Sequence, residues 1–285
     1  MRPRIFLTGA TGYIGQCLLK KLLAKNYEII VPFRGDIRLS RNKKVRYLNW
    51  DFDSKISSSF FSDNIPTHLI HCAWGHLDQY QAVEHTEYYY PKSLELIHGL
   101  MNLGCKDITV LGTCFEYGLQ EGCLDEKMDM KPVLNYGLGK VKLLEKLMVL
   151  AEEDGAIVKW IRLFYPYSTG MRKKSLFGAL DTIIDNGGGV FNMSPGDQIR
   201  DYLFLDDMVL NILKAATNLD TSGIYNNCSG APATVENIIK AYIEYRKFNL
   251  DRISFNKGYY SYPDYEPMHF WGDNSKLNRG INSGF

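Results

Sequence analysis

No apolar run in these 285 residues approaches the ~20 needed to span a bilayer, so no membrane-spanning helix is expected. An excess of one charge is also lacking: 33 Lys and Arg against 32 Asp and Glu leave a net charge of +1. Without a global field to recruit nucleic acid or an anionic membrane, any anion must be held at a local site. The six cysteines (Cys17, Cys72, Cys105, Cys114, Cys123 and Cys228) show no C-x-x-C and no zinc spacing. Reduced, mostly buried thiols in a cytoplasmic protein without a metal site are the expectation. Internal repeats and low-complexity linkers are absent. The chain starts directly on the strand-like R-I-F-L-T-G, so no signal peptide is expected. The sequon Asn227-Cys228-Ser229 is then incidental.

What is present is an alternation of short apolar runs and helical spacings, in a chain 45% hydrophobic and long enough to bury a sizeable core. Strands are expected over Ile5 to Thr8, Glu28 to Phe33, Val45 to Leu48, Thr67 to Cys72, Asp107 to Leu111 and Ala156 to Leu163. Helices are expected over Y-I-G-Q-C-L-L-K-K-L-L-A-K, from about Tyr80 to Leu103, and through Tyr136 to Glu153. Strands alternating with helices imply βαβ units, hence an α/β fold: a Rossmann-like, doubly wound parallel sheet. After about Arg162 aromatics, glycines and short segments dominate. Residues 1–162 therefore read as a Rossmann-like domain and 163–285 as a smaller C-terminal substrate region that can return elements to the first.

T-G-A-T-G-Y-I-G places Gly9, Gly12 and Gly15 between the first strand and the first helix. Glycines there permit a tight turn and a close backbone approach to a pyrophosphate, held by N–H groups at the helix N-terminus. The second strand ends in V-P-F-R-G-D, with Arg34 at its tip and Arg38 close behind. A cation at that place suits a 2′-phosphate, whereas a carboxylate would take the ribose hydroxyls, so NADP(H) is expected in preference to NAD(H). Asp36 could instead turn back toward the ribose, and both arginines could be solvated loop cations. Asp51, after the third strand, could accept from the adenine amino group or cap the next turn. In N-Y-G-L-G-K, Tyr136 and Lys140 are spaced i and i+4 and share one helix face. A cation near a phenol lowers its pKa from ~10, so such a pair beside a nicotinamide can move a proton while the cofactor moves a hydride.

These motifs, with His71 and Ala73 after the fourth strand, G-T-C-F-E-Y-G, and R-D-Y-L-F-L-D-D, occur in one order over nearly the whole chain. Together they resemble the extended short-chain dehydrogenase/reductase family of nucleotide-sugar enzymes. The resemblance implies that Thr113 hydrogen-bonds the reacting sugar oxygen and that Tyr136 is the general acid or base. Lys140 would bind the nicotinamide ribose and depress the tyrosine pKa. It further implies cofactor contacts from Gly9, Thr11, Gly12, Tyr13, Ile14, Gly15, Arg34, Arg38, Asp51, Phe52 and Ala73. Substrate contacts would come from Thr113, Cys114, Tyr136, Tyr165, Asn192 and Arg200. Arg200 falls where the family pairs an arginine with the substrate diphosphate; an ion pair with Asp201 is the alternative. Arg172, Lys173 or Lys174 could cover the nucleotide, Met193 could flank its base, Phe164 could stack on a ring, and His269 and Trp271 could close over the sugar. His71 reads as packing.

Departures from the family matter. Sugar 4,6-dehydratases carry two carboxylates directly after the threonine, where this chain has Cys114 and Phe115, so elimination chemistry is not expected. Tyr165 replaces a usual asparagine, and the usual asparagine opening the helix before the fifth strand is missing from Y-Y-Y-P-K-S. The G-T-C-F-E-Y-G and F-W-G-D forms look like bacterial 4-keto-6-deoxyhexose reductases, which make deoxysugars such as CDP-abequose or dTDP-fucose for surface polysaccharides (O-antigen, lipopolysaccharide). The expected activity is NADPH-dependent reduction of a nucleotide-linked 4-keto-6-deoxyhexose, in a homodimer formed by the two helices flanking the fifth strand. A 4-epimerase with tightly bound NAD and a non-enzymatic dinucleotide sensor are the competing readings.

Overall fold

A computed structural model describes residues 3–25, 27–35, 42–62 and 64–282. In the first half come β1 (Arg4–Thr8), α1 (Tyr13–Leu23), β2 (Glu28–Phe33), β3 (Val45–Asn49), β4 (His68–His71), α2 (Tyr90–Asn102), β5 (Asp107–Thr113), β6 (Gly122–Leu124), α3 (Asn135–Asp154) and β7 (Ile157–Leu163). In the second come β8 (Tyr165–Tyr167), α4 (Leu176–Asp185), β9 (Gly189–Met193), β10 (Ile199–Arg200), β11 (Tyr202–Phe204), α5 (Leu205–Asn218), β12 (Gly223–Asn227), β13 (Ala233–Thr234), α6 (Val235–Tyr245), β14 (Ile253–Lys257), β15 (Phe270–Gly272) and α7 (Ser275–Asn282).

Seven strands form one sheet in the order β12-β7-β5-β4-β1-β2-β3, and every pair in it is parallel. Parallel strands need crossovers, and the helices that make them cover both faces, as the alternation of apolar runs predicts. Period-two side chains divide β1 between two cores. Ile5 and Leu7 pack with Leu18 and Leu22 of α1 and with Met208, Val209 and Ile212 of α5. Phe6 packs on the opposite face with Leu96, Ile97 and Leu100 of α2 and with Leu143, Leu144 and Leu147 of α3. The second half builds its own core from Phe177, Leu180, Phe191, Val235, Ile239 and Tyr242, and sends β12 back to edge the main sheet.

The helix expected from about Tyr80 is shorter than its apolar spacing suggests. Turns occupy 77–83, a single π-helical segment spans His85–Tyr89, and α2 starts at Tyr90. Pro91 sits in the first turn of α2, where its missing N–H is tolerated. An α-helix continued upstream would need that N–H, so the regular helix begins there. β5 runs on to Thr113, two residues past its expected end, which puts Thr113 at the strand tip.

Candidate functional site

The sheet changes direction at β1 and β4: β2 and β3 lie to one side, β5 and β7 to the other. Ligands of open parallel sheets bind outside the strand C-termini at such a switch point. Thr8 ties the two strand ends together, its hydroxyl 2.9 Å from His71 Nδ1 and accepting from the Cys72 and Ala73 N–H groups at 3.2 Å. His71 is fully buried and also contacts the Ser93 hydroxyl at 3.1 Å. Burial lowers its pKa to about 3, which keeps it a neutral packing residue.

The glycine loop leaves β1 at this point. Gly9 has φ +68°, and a Cβ on it would lie 2.7 Å from the Ala73 nitrogen. A Cβ on Gly15 would collide with the Gly9 carbonyl. The loop therefore packs backbone on backbone, and the Gly12 N–H closes it on the Gly9 carbonyl at 2.9 Å. Beside it opens a cleft of about 400 Å³ lined by Gly9, Thr11, Arg34, Asp51, Phe52, Ala73 and Trp74, among others. A tight backbone loop beside an open cleft, next to a helix N-terminus, fits a dinucleotide pyrophosphate.

Arg34 is exposed at the rim; burial raises the phenol pKa values of Tyr88 and Tyr89, and the Arg34 charge opposes this only weakly. Arg38 and Asp36 lie outside the described residues. Asp51 caps its own turn, with Oδ1 accepting from Asp53 N, Ser54 N and the Ser54 hydroxyl at 3.0 Å each. Tyr13 and Ile14 are not in the cleft lining; both pack against the α1–α5 core, which leaves only their backbone near the loop.

Thr113 ends β5 and opens a short 3-10 turn, Cys114–Tyr117. Its hydroxyl accepts from Phe115 N at 3.3 Å while Glu116 accepts from Thr113 N at 2.8 Å, a reciprocal capping box. The threonine is thus a structural cap, and its hydroxyl lies close enough to the Tyr136 phenol to lower that phenol's pKa. Tyr136 is the second residue of α3, where no side chain caps the helix. The loop before α2 does that work: Tyr136 N donates to the Tyr80 carbonyl at 2.9 Å, and the Asn135 amide to the Gln81 carbonyl at 2.7 Å.

Aromatic rings enclose the phenol. Tyr80 stacks on Tyr136 at 5.6 Å, with His85 at 5.2 Å, Phe115 at 6.2 Å and Trp74 at 6.3 Å. Trp74 also lines the cleft beside the glycine loop, and Phe115 contacts Tyr165 in a second cleft, so Tyr136 stands between residues of the two. Lys140 is 3% exposed; its ammonium donates to the Leu111 carbonyl at 2.7 Å and sits 3.7 Å over the Trp74 ring. Burial lowers its pKa to about 7 against the opposing pull of Glu116 and Cys72.

Here the expectation that Lys140 depresses the phenol pKa is corrected. Burial pushes Tyr136 above the ordinary phenol range, the Tyr80 phenol adds to the rise, and the Thr113 hydrogen bond only partly opposes it. The ammonium is 6.0 Å from the Tyr136 ring centre and is already engaged by a carbonyl and an indole. Desolvation of the anion outweighs it, and Tyr136 is held protonated.

The second cleft, about 360 Å³, is lined by Tyr165, Lys174, Asn192, Met193, Arg200 and Glu266, among others. The Tyr165 hydroxyl is buried with no hydrogen-bond partner among the described residues. Asn192 accepts from Asn256 at 2.8 Å. Arg200 does not pair with Asp201, whose carboxylate is consumed by Ser229, Gly230 and Gly272. Its partner is Glu266, 2.9 Å from Nη2. Cys114 belongs to a buried cluster with Tyr117, Leu124, Phe164, Cys228 and Phe270. Arg172 is exposed and near enough to Tyr80 to oppose the rise of its phenol pKa, which burial drives to about 12; Lys173 lines a different surface pocket. His269 is half exposed beside Glu121, and Trp271 lies in β15 paired with β6, so neither closes over Tyr136.

Sequence reasoning did not find Trp74, Tyr80, Tyr265 or Glu266, because all four lie in irregular segments with no motif around them. Glu116 was visible only as one letter of G-T-C-F-E-Y-G. It is fully buried and accepts from Thr113 N, from the Trp160 indole at 2.9 Å and from Arg162 Nε at 2.6 Å.

Comparison with known proteins matches residues 5–228 to the family described as NAD dependent epimerase/dehydratase. The chain is 26% identical to dTDP-6-deoxy-L-talose 4-dehydrogenase (NAD(+)) of Aggregatibacter actinomycetemcomitans, over 94% of this chain and 98% of the relative. It is 23% identical to dTDP-4-dehydro-6-deoxyglucose reductase of Escherichia coli, over 85% and 81%. Among solved structures, a UDP-N-acetylglucosamine 4-epimerase from Methanobrevibacter ruminantium superposes with TM-score 0.84 at 17% identity, covering 99% of this chain and 92% of the other. At that identity the likeness concerns the fold.

Proposed function

The chain belongs to the NAD dependent epimerase/dehydratase family, and on that premise we propose that it reduces the C4 ketone of a nucleotide-linked 4-keto-6-deoxyhexose, with NADPH as preferred reductant. The observation that carries this reading is the grouping of Thr113 beside the Tyr136 phenol, with Lys140 one turn on, next to Trp74 of the first cleft and Phe115 at the second. Gly9, Thr11, Arg34, Asp51, Phe52, Ala73 and Lys140 are the residues that would hold the cofactor, which supplies the hydride. Tyr136, protonated in its buried setting, donates its proton to the sugar O4 as negative charge develops there. Thr113 steadies the same oxygen with its hydroxyl. The aromatic wall of Tyr80, Phe115 and Tyr265 excludes water from that charge and suits the apolar edge of a deoxysugar.

Two relatives are named for oxidoreduction at C4 of dTDP-linked 6-deoxy sugars, which supports this substrate class. Cys114 and Phe115 offer no carboxylate for a dehydration, and Glu116 is sealed beneath them on Arg162. A homodimer through α2 and α3, which pack on one another and leave Leu138 and Val149 exposed, and a cytoplasmic site of action complete the proposal.

The test is NADPH oxidation with CDP-, dTDP- and GDP-4-keto-6-deoxyhexoses, with the C4 configuration of the product read by NMR. Stoichiometric oxidation with one nucleotide is expected. No oxidation, in a protein purified with cofactor bound, would favour the 4-epimerase. The cofactor preference is tested by Arg34→Ala: KM for NADPH is expected to rise about 10- to 100-fold, the size of one hydrogen bond to a charged group, with KM for NADH little changed. Equal changes for both cofactors would assign Arg34 no part in the preference.

A further inference from the structure

Each of the three side-chain nitrogens of Arg200 already donates a hydrogen bond. Its Nη1 donates to the Ile199 and Met268 carbonyls at 2.9 and 3.0 Å, and its guanidinium lies 4.8 Å over the Phe270 ring. The remaining edge, Nε and Nη2, points both donors at one oxygen of Glu266, at 3.3 and 2.9 Å. That edge is the part of a guanidinium that grips a carboxylate or a phosphate in a bidentate fashion, so the two anions compete for it. The pair is almost dry, with side-chain exposures of 4% for Arg200 and 13% for Glu266. Lys174 is the other cation in this cleft's lining, and it is exposed. With Glu266 on Arg200 the buried charge of the cleft sums to zero, and a diphosphate placed beside it would meet a carboxylate at close range.

Glu266 is not built into a regular element. It lies in the irregular segment between β14 and β15, held by Tyr262 on Asp197 at 2.7 Å, Tyr260 N on the Met193 carbonyl at 3.4 Å, and Met268 O on Ile199 N at 2.9 Å. Its neighbour Tyr265 packs on Tyr80 and Phe115, at 6.1 and 6.2 Å, and Tyr80 stacks on Tyr136. One segment thus carries an anion on the buried arginine and a ring on the aromatic wall around the phenol.

We propose that Glu266 is a specificity-determining residue: it holds Arg200 as an internal anion that only a diphosphate-bearing ligand displaces, and its departure moves Tyr265 and so reshapes the sugar site beside Tyr136. This rests on the nucleotide-sugar reading above. A diphosphate brings enough charge and enough acceptors to replace the carboxylate on the guanidinium edge. A sugar without phosphate brings neither, and a monophosphate brings less of both. Glu266 therefore selects nucleotide-diphosphate sugars against free sugars and sugar monophosphates.

The test is calorimetric binding of dTDP, inorganic pyrophosphate and dTMP to the wild-type chain and to Glu266→Gln, with melting curves of both. Removing the competing charge is expected to tighten dTDP and pyrophosphate about tenfold and dTMP less, a tenfold gain being ~1.4 kcal/mol. The unliganded variant is expected to melt lower, because Arg200 loses its counter-ion, and saturating dTDP to raise its melting temperature by more than it raises the wild type's. Binding of dTDP that is unchanged or weaker in a variant whose circular dichroism matches the wild type overturns the proposal alone, and makes Glu266 a partner of the ligand. Failure of both proteins to bind dTDP or pyrophosphate overturns it together with the nucleotide-sugar reading.

Discussion

Tyr136→Phe is expected to lower turnover by about 10²–10⁴-fold, the usual contribution of a positioned acid, while cofactor binding survives. The substitution removes one oxygen and leaves the ring, which is what packs on Tyr80, His85, Trp74 and Phe115. The Thr113 hydroxyl keeps its bond from Phe115 N, so the turn at the end of β5 is retained. Single-turnover rates and NADPH titration by fluorescence separate the two effects. Turnover within about threefold of wild type would remove Tyr136 from the proton-transfer step. Burial keeps the phenol in the protonated form from which a ketone reduction draws its proton, and it also makes the phenol a weaker acid.

The second large effect is on stability. Glu116→Gln keeps the side-chain shape but removes the negative charge facing Arg162, and both residues are 0% exposed. Arg162 Nη1 and Nη2 already lack a hydrogen-bond partner among the described residues, and the guanidinium carbon lies 4.4 Å from the Tyr117 ring centre. Breaking a buried pair by removing one partner costs about 3–5 kcal/mol, since the other charge remains desolvated. That is a large share of the ~5–15 kcal/mol by which most proteins are stable. Urea unfolding is expected to show a loss of this order, even though the amide oxygen can still accept from Thr113 N. A loss below about 1 kcal/mol would mean that Arg162 is neutralised by other groups.

Much of the frame was legible because its causes are local. Gly15 is demanded by the Gly9 carbonyl within the same turn and Gly9 by its positive φ, although Ala73 at the end of β4 adds a contact that spacing does not show. The alternation of Ile5, Phe6 and Leu7 between two faces follows from strand geometry alone. The premature start assigned to α2 came from reading apolar spacing without the constraint of Pro91. Arg200 stood out within R-D-Y, but its neighbour Asp201 proved to serve the backbone of Ser229, Gly230 and Gly272 instead. Tyr80 and Tyr265 carry no pattern in their own surroundings; they matter only because two irregular segments meet over Tyr136.

The amino-acid order by itself determined the βαβ alternation, the phosphate loop between β1 and α1, and the placing of Tyr136 and Lys140 on one helix face. Each depends on dihedral limits or on a helical repeat of a few residues. The tertiary structure alone decided the charge states and partners at those positions: Tyr136 neutral in an aromatic enclosure, Lys140 on a carbonyl and an indole, and Arg200 on Glu266. Desolvation and Coulomb terms depend on which distant segments exclude water from a group, and residue spacing along the chain does not encode that.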